Sequence, residues 1–394
     1  MAEVEPVAGR VPVVVPTPAH STVGSLLTYI SESALTPGTL VRVPLGTREV
    51  LGLVWDGAPG KPAGAWEEKP VTAVLAGIPP LSAGWRRLVA FCASYYQRSL
   101  GEVAQAALPP QLRELSPAQW RRRLGRTARS ASGVGAAAEP PALSDEQDAA
   151  LARIATEPGP FLLFGATGSG KTEVYLRAAA DTLARDPSAQ VLVMVPEINL
   201  TPQLQARFVD RFGPDAVVAM HSGLTPPQRL AAWLAAHTGA ARIVLGTRMA
   251  VLASLPGLGL LVVDEEHDPS YKQQEGARYS ARDLAVYRAK AEGVRVLLGS
   301  ATPSLESWHA SEKGRYQRLA MPTRIGQGRL PQVRLVDMNQ QPNRTVVSPP
   351  LLEAIQARIA RGEQALVFLN RRGYAPVLAC TACDWKSECP NCSA

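Results

Sequence analysis

At 394 residues the chain is long enough for two or three domains of about 100–200 residues each. Apolar residues make up 46% and charged residues 19%, which excludes collagen-like, coiled-coil and disordered classes. Lys and Arg number 41 against 34 Asp and Glu, a net charge of +7 that favours anionic partners without singling one out.

A membrane-spanning helix needs about 18 or more consecutive apolar residues. The closest stretch, 249–263, is broken by Ser254, Pro256 and glycines, so no membrane partner is expected. Glu3 and Glu5 stand where a secretory signal would be basic, and a soluble, cytoplasmic protein is expected. Of the five cysteines, Cys92 is isolated and is expected to fill a core as a small apolar residue. Cys380, Cys383, Cys389 and Cys392 fall together, and in a reducing compartment such pairs point to metal.

In chain order, short β-like runs at 11–15, 40–43 and 50–55 are punctuated by Pro and Gly. A helix is expected over 84–98, with Trp85, Leu88, Val89, Cys92 and Tyr96 on one face. This predicts a small β-rich domain, 1–110, closed by a helix. Residues 111–143 read as a linker: an arginine cluster (Arg121, Arg122, Arg123, Arg126, Arg129) and then a tract rich in Ala, Ser, Gly and Pro. From Ser144 the pattern becomes buried runs alternating with amphipathic stretches, at 161–164, 191–195, 216–220, 242–245, 259–263 and 295–298. That alternation predicts an α/β fold with a doubly wound parallel sheet over 144–322. Beyond an irregular stretch, a helix at 349–360 and a strand at 364–369 open a further unit, 323–379.

Gly165, Thr167, Gly168, Ser169, Gly170, Lys171 and Thr172 form the full G-x-x-x-x-G-K-[ST] pattern between a predicted strand and a predicted helix. Glycines there let backbone N–H groups turn inward around phosphates at a helix N-terminus. Lys171 is expected on the β- and γ-phosphates, and Thr172 on Mg2+. A partner acid is expected on a neighbouring strand, and the run ending Asp264-Glu265-Glu266-His267 supplies it. Asp264 would hold Mg2+ through its waters, and Glu265 would orient and deprotonate the attacking water. Gln147, upstream, fits either an amide reading adenine N6 and N7 or an ordinary residue near a helix N-cap. The segment after the acids interleaves Tyr271, Lys272, Gln273, Gln274, Arg278, Tyr279 and Arg282. Such a run fits either bases stacked on aromatic faces with phosphates on cations, or a surface loop whose tyrosines cover the sheet.

His221-Ser-Gly223, the loop of Gly246, Thr247 and Arg248, and the loop of Gly299, Ser300 and Thr302 follow in turn. Around a P-loop and an Asp-Glu-Glu-His strand, this order resembles the successive motifs of superfamily 2 helicases. The resemblance assigns Ser300 and Thr302 to coupling between nucleotide state and DNA grip, and places Arg248 along the strand backbone. Longer runs narrow the match: 165–175, 196–203, 264–276, 278–288 and 368–376 are similar to the PriA replication-restart helicase family, primosomal protein N′. That resemblance covers 143 to the end well and the first 110 residues more loosely.

The family resemblance implies an ATP-dependent, 3′-to-5′ DNA helicase associated with the nucleoid, with ATP, Mg2+ and Zn2+ as cofactors. The implied partners are forked DNA with a single-stranded arm, primosome and replicative-helicase-loading proteins, and single-stranded-DNA-binding protein. Residues 1–110 resemble a domain that captures a 3′ DNA end, through Thr28, Tyr29 and Gly46. The family's Phe-Asp-Tyr pocket stands here as Leu27-Thr28-Tyr29, and no room for a winged helix is left between 110 and 143. Read alone, Cys380, Cys383, Cys389 and Cys392 fit one closed zinc site. The resemblance instead implies two interleaved zincs, each half-liganded within 380–394, and an arginine finger later than Arg371 and Arg372. On this basis the chain is expected to bind ATP-Mg and DNA but to be incomplete for unwinding. The alternative from another class is a DNA-structure-binding, primosome-loading scaffold without helicase activity.

Overall fold

The computed structural model describes residues 9–17, 24–58, 68–113, 119, 141–196, 202–326, 331–342 and 346–369. The chain separates into two compact units, Met1–Gly328 and Arg329–Ala394. Among the described residues no helix is long and apolar enough to cross a membrane.

The first unit begins with an antiparallel sheet of β1 (Gly9–Val14), β2 (Leu26–Ser31), β3 (Leu40–Leu45), β4 (Arg48–Val54) and the short β5 (Ala73–Val74), in the order β2-β1-β4-β3-β5. One face closes over Val11, Val13, Tyr29, Val41 and Val43. The other receives α1 (Ala83–Tyr95), which Ser82 caps by accepting from Trp85 N–H, and α2 (Leu100–Ala106), capped by Ser99. The expected helical face is seen: Trp85, Leu88, Val89 and Cys92 are buried, and burial pushes the Cys92 thiol up to about 11. β2 escaped the sequence reading because Thr28 interrupts its apolar run and, on an edge strand, Leu26 and Ile30 are exposed while Tyr29 and Ser31 are buried.

The larger sheet has seven strands, β6 (Phe161–Gly165), β7 (Gln190–Met194), β8 (Val217–Met220), β9 (Ile243–Gly246), β10 (Leu258–Val263), β11 (Arg295–Ser300) and β12 (Gln317–Met321). Every ladder is parallel, in the order β12-β6-β11-β10-β7-β9-β8. β7, β9, β10 and β11 are apolar almost throughout because helices cover both faces. These helices include α3 (Asp145–Thr156), α4 (Lys171–Arg185), α5 (Pro202–Phe212), α6 (Pro226–His237), α7 (Ala281–Glu292) and α8 (Leu305–Glu312). β12 was not expected: its alternating Gln317-Arg-Leu-Ala-Met pattern belongs to a half-exposed edge strand.

The first sheet's helices close more than their own sheet. One apolar cluster runs from Trp85, Leu88 and Cys92 in α1 to Leu252, Leu284, Ala285 and Ala289 of the larger lobe. Trp85 Nε1 donates to Leu252 O at 2.7 Å, and the Phe91 and Tyr287 rings stack. Arg288, fully buried, donates from Nη1 to Val251 O and Ala253 O and pairs with Glu292 at 2.8 Å. His237, at the end of α6, lies between Ser254 Oγ (2.9 Å from Nδ1) and Pro79 O (2.8 Å from Nε2). A carbonyl only accepts, so Nε2 carries the proton and Nδ1 accepts from Ser254.

In the second unit, α9 (Pro349–Ile359) forms as expected, with prolines in its first turn. The expected strand at 364–369 is not formed. Leu366 and Phe368 are exposed and no ladder partner lies alongside among the described residues.

Trp85→Ala should lower unfolding stability by about 3–5 kcal/mol, read by urea denaturation, because it removes a buried indole and orphans Leu252 O. Burial lowers the pKa of His237, so its unfolded form takes up the proton more readily. The resulting stability is present above the unfolded value of about 6.5 and is lost as pH falls below it. His237→Gln should be less stable at neutral pH, with a shallower loss of melting temperature between about pH 6.5 and 5.

Candidate nucleotide site and interdomain interface

The P-loop turns at the end of β6. Gly168 and Gly170 adopt φ of +83° and +81°, a region open to glycine, and Gly170 leads directly into α4. Lys171 folds back so that Nζ donates to Gly165 O at 2.9 Å, and Ile325 N–H donates to Gly168 O. Ser169 Oγ is buried and has no hydrogen-bond partner among the described residues. A loop with an orphaned buried hydroxyl and a lysine resting on its own carbonyl, at the start of a helix, fits an anionic ligand.

Gln147 reaches the loop, although its amide is not presented to a base. Oε1 accepts from Ser144 N–H at 2.8 Å in a capping box, and Nε2 donates to Gly170 O at 3.2 Å. The residue is 1% exposed and braces the P-loop.

The acids stand at the end of β10. β11 lies between that strand and β6, so the expected neighbouring strand is the next but one. Burial raises the Asp264 carboxyl above its ordinary range, opposed by a hydrogen bond from Tyr175 Oη at 2.9 Å. Glu265 holds φ at +44°, an uncommon conformation for a residue with a side chain, at the point where the strand turns away. Asp264, Glu265, Lys171, Thr172 and Thr167 line one cleft of about 710 Å³. Thr172 and Asp264 offer the hydroxyl and carboxylate oxygens that a hydrated Mg2+ favours.

From the acids the network passes to the loop after β11. His267 Nδ1 lies 2.8 Å from Ser300 Oγ and 3.6 Å from Glu265 Oε2, and Nε2 lies 3.4 Å from Thr302 Oγ1. Ser300 Oγ also accepts from Thr302 N–H. Glu266, 1% exposed, accepts from Ser304 N–H (2.7 Å), Ser304 Oγ, Ser307 Oγ (2.8 Å) and Arg282 Nη1. The sequence reading assigned no role to Glu266 or Tyr175. A third consecutive acid and a helical tyrosine carry no signal of burial by themselves.

The DEAD/DEAH box helicase family matches residues 144–310, and the PriA 3′DNA-binding domain matches residues 12–109. Replication restart protein PriA of Bacillus subtilis (strain 168) is 44% identical over 64% of this chain and 32% of its own length. That of Rickettsia conorii is 34% identical over 90% of this chain and 53% of its own length. The chain belongs to the PriA replication-restart family. It spans between about a third and a half of the curated PriA relatives it matches. Among solved structures, RecG bound to a three-way DNA junction aligns with a TM-score of 0.41 at 21% identity, over 71% of this chain and 34% of that one.

Within this PriA-family chain, several expected DNA contacts are otherwise engaged. Tyr271 is 2% exposed and donates its hydroxyl to Asp264 O at 2.6 Å. Tyr279 is 8% exposed, and burial pushes its hydroxyl up to about 12. Neither ring face is open to stack on a base, because both rings join the core shared with α1. Arg282 is held by Glu266, Asp283 and Ser304, and Arg248 donates to Ser270 O and Lys272 O. Lys272, which sits over the Tyr96 ring, is exposed with Gln274 and Arg278, and Gln273 is half-buried. Tyr96 Oη also accepts from Ser280 N–H, tying this loop to the first domain.

In the first domain the Tyr29 ring is fully buried and its hydroxyl donates to Pro44 O, so it offers no face to a DNA end. Thr28 is half-buried opposite Pro12, and Gly46 forms the β3–β4 turn at φ +62°. Cys380, Cys383, Cys389, Cys392, Arg371 and Arg372 lie outside the described residues, as do Arg121, Arg122, Arg123, Arg126, Arg129 and residues 197–201. Among the described residues no group of three or more His, Cys, Asp or Glu side chains could hold a metal ion.

Glu266→Ala should lower stability by about 3–5 kcal/mol in urea denaturation, since Arg282 and Ser304 N–H would lose a buried charged acceptor.

Proposed function

We propose that this chain carries the DNA-binding domain and the ATP-binding lobe of a 3′-to-5′ DNA helicase that restarts replication at abandoned forks. One observation supports this above the rest: Lys171, Thr172, Asp264 and Glu265 converge on one cleft, and His267 links Glu265 to Ser300 and Thr302.

In this reading the P-loop N–H groups and Lys171 take the phosphates of ATP. Lys171 leaves Gly165 O to do so. Thr172 and Asp264 hold Mg2+, which neutralises charge developing on the transferred phosphoryl group. Glu265 orients a water in line with that group and accepts its proton. Movement of the acids on nucleotide binding reaches Ser300 and Thr302 through His267, a short route from phosphate to the loop assigned to DNA grip. Lys272, Gln273, Gln274 and Arg278 contact the strand, joined to the first domain by a second cleft of about 450 Å³ lined by Val103, Arg248 and Gln273. Thr28 and Gly46 are the residues proposed at a DNA end. Helicase-loading and single-stranded-DNA-binding proteins are the proposed partners, and chromosomal DNA the proposed site of action. Zinc at Cys380, Cys383, Cys389 and Cys392 rests on their spacing.

Lys171→Ala should weaken nucleotide binding by about 10-fold or more, since a hydrogen bond to a charged group is worth about 1.5–3 kcal/mol. Fluorescence anisotropy with forked DNA should show an affinity that responds to a non-hydrolysable ATP analogue in the parent and not in the variant. Equal, nucleotide-independent DNA affinity in both would favour the scaffold reading instead.

A further inference from the structure

Tyr175 lies in the second turn of α4, beyond the last residue of the P-loop pattern, and it is 1% exposed. Its hydroxyl reaches Asp264 Oδ1 at 2.9 Å by passing over the backbone of Gly299 in β11. A Cβ at Gly299 would stand 1.7 Å from that oxygen, so glycine is required for the hydroxyl to occupy its place. An aromatic ring alone would serve for packing. A buried phenol needs a partner, and here the partner is the acid that lines the phosphate cleft.

The torsion that turns an aspartate carboxylate is broad and roughly twofold. A donor fixed to one oxygen selects one orientation, and hydrogen bonds to ionised acceptors are about twice as strong as neutral ones. Asp264 is also restrained at its backbone, where its N–H donates to Met194 O and its carbonyl accepts from Tyr271 Oη. Tyr175 restrains the side chain itself, from the helix that the P-loop opens. The helix that the P-loop opens therefore also sets the carboxylate on the far side of the cleft.

We propose that Tyr175 is a positioning residue for the divalent ion that accompanies the nucleotide: it holds the Asp264 carboxylate so that its second oxygen is presented to the ion's site together with the Thr172 hydroxyl. The proposal rests on reading the cleft as an ATP-Mg2+ site. Its test separates metal-dependent from metal-independent binding, using a fluorescent ATP analogue titrated in EDTA and again in Mg2+.

In the parent chain Mg2+ should tighten binding. Tyr175→Phe should keep the affinity measured in EDTA and lose about tenfold of the Mg2+-dependent tightening. Asp264→Asn should abolish the tightening, and adding Tyr175→Phe to it should cost nothing more. Gly299→Ala, which displaces the hydroxyl from the other side, should reproduce the Mg2+-specific loss, and it carries the test if the Phe variant does not fold. Full Mg2+-dependent tightening in Tyr175→Phe, or equal losses with and without Mg2+, would overturn the proposal and leave Tyr175 a packing residue. A parent chain whose binding ignores Mg2+ would overturn the ATP-Mg2+ reading itself.

Discussion

The insertion of β11 between β6 and β10 sets the geometry of the whole edge that carries the cleft. Neighbouring strands stand about 4.8 Å apart, so the P-loop and the acids are separated by roughly twice that distance. The cleft of about 710 Å³ is lined from both of these strand ends. The insertion also places Gly299 and Ser300 in the middle, where one residue admits the Tyr175 hydroxyl and the next receives His267. The parallel register brings these strand ends to one edge, where ligands bind in open α/β sheets.

Around that edge, polar groups are buried in pairs and triples. Glu266 gathers Ser304, Ser307 and Arg282, while Asp264 is approached by tyrosine hydroxyls at its carboxylate and at its carbonyl. Networks of this kind are stable when every member is satisfied and costly when one is removed. Removing one member would leave the others without partners in a buried setting. A further bond ties the loop after the acids to the first domain, where Ser280 N–H donates to Tyr96 Oη.

Much of this architecture was legible in the residues. The P-loop and the acidic strand end carry fixed backbone and charge requirements, and the inner strands are apolar on both faces, so all of them announce themselves. The edge strands β2 and β12 do not, because half of each faces water. The harder loss concerns the loop after the acids. Tyr271 and Tyr279 sit among cations and amides, a composition that suits nucleic acid, yet their rings turn inward. Composition reports which groups are present, whereas the direction of a loop is set by the surface awaiting it, here α1. Glu265 and Glu266 are likewise identical in sequence. The positive φ at Glu265 sends one carboxylate to the cleft and the other into the protein.

The apolar cluster that runs from α1 into α7 has a mechanical consequence. Trp85 and the stacked Phe91 and Tyr287 rings join α1, which covers the antiparallel sheet, to the larger lobe. Parting α1 from the lobe would expose the Trp85 indole to water and break its bond to Leu252 O, so the two sheets are held by the same core that each needs.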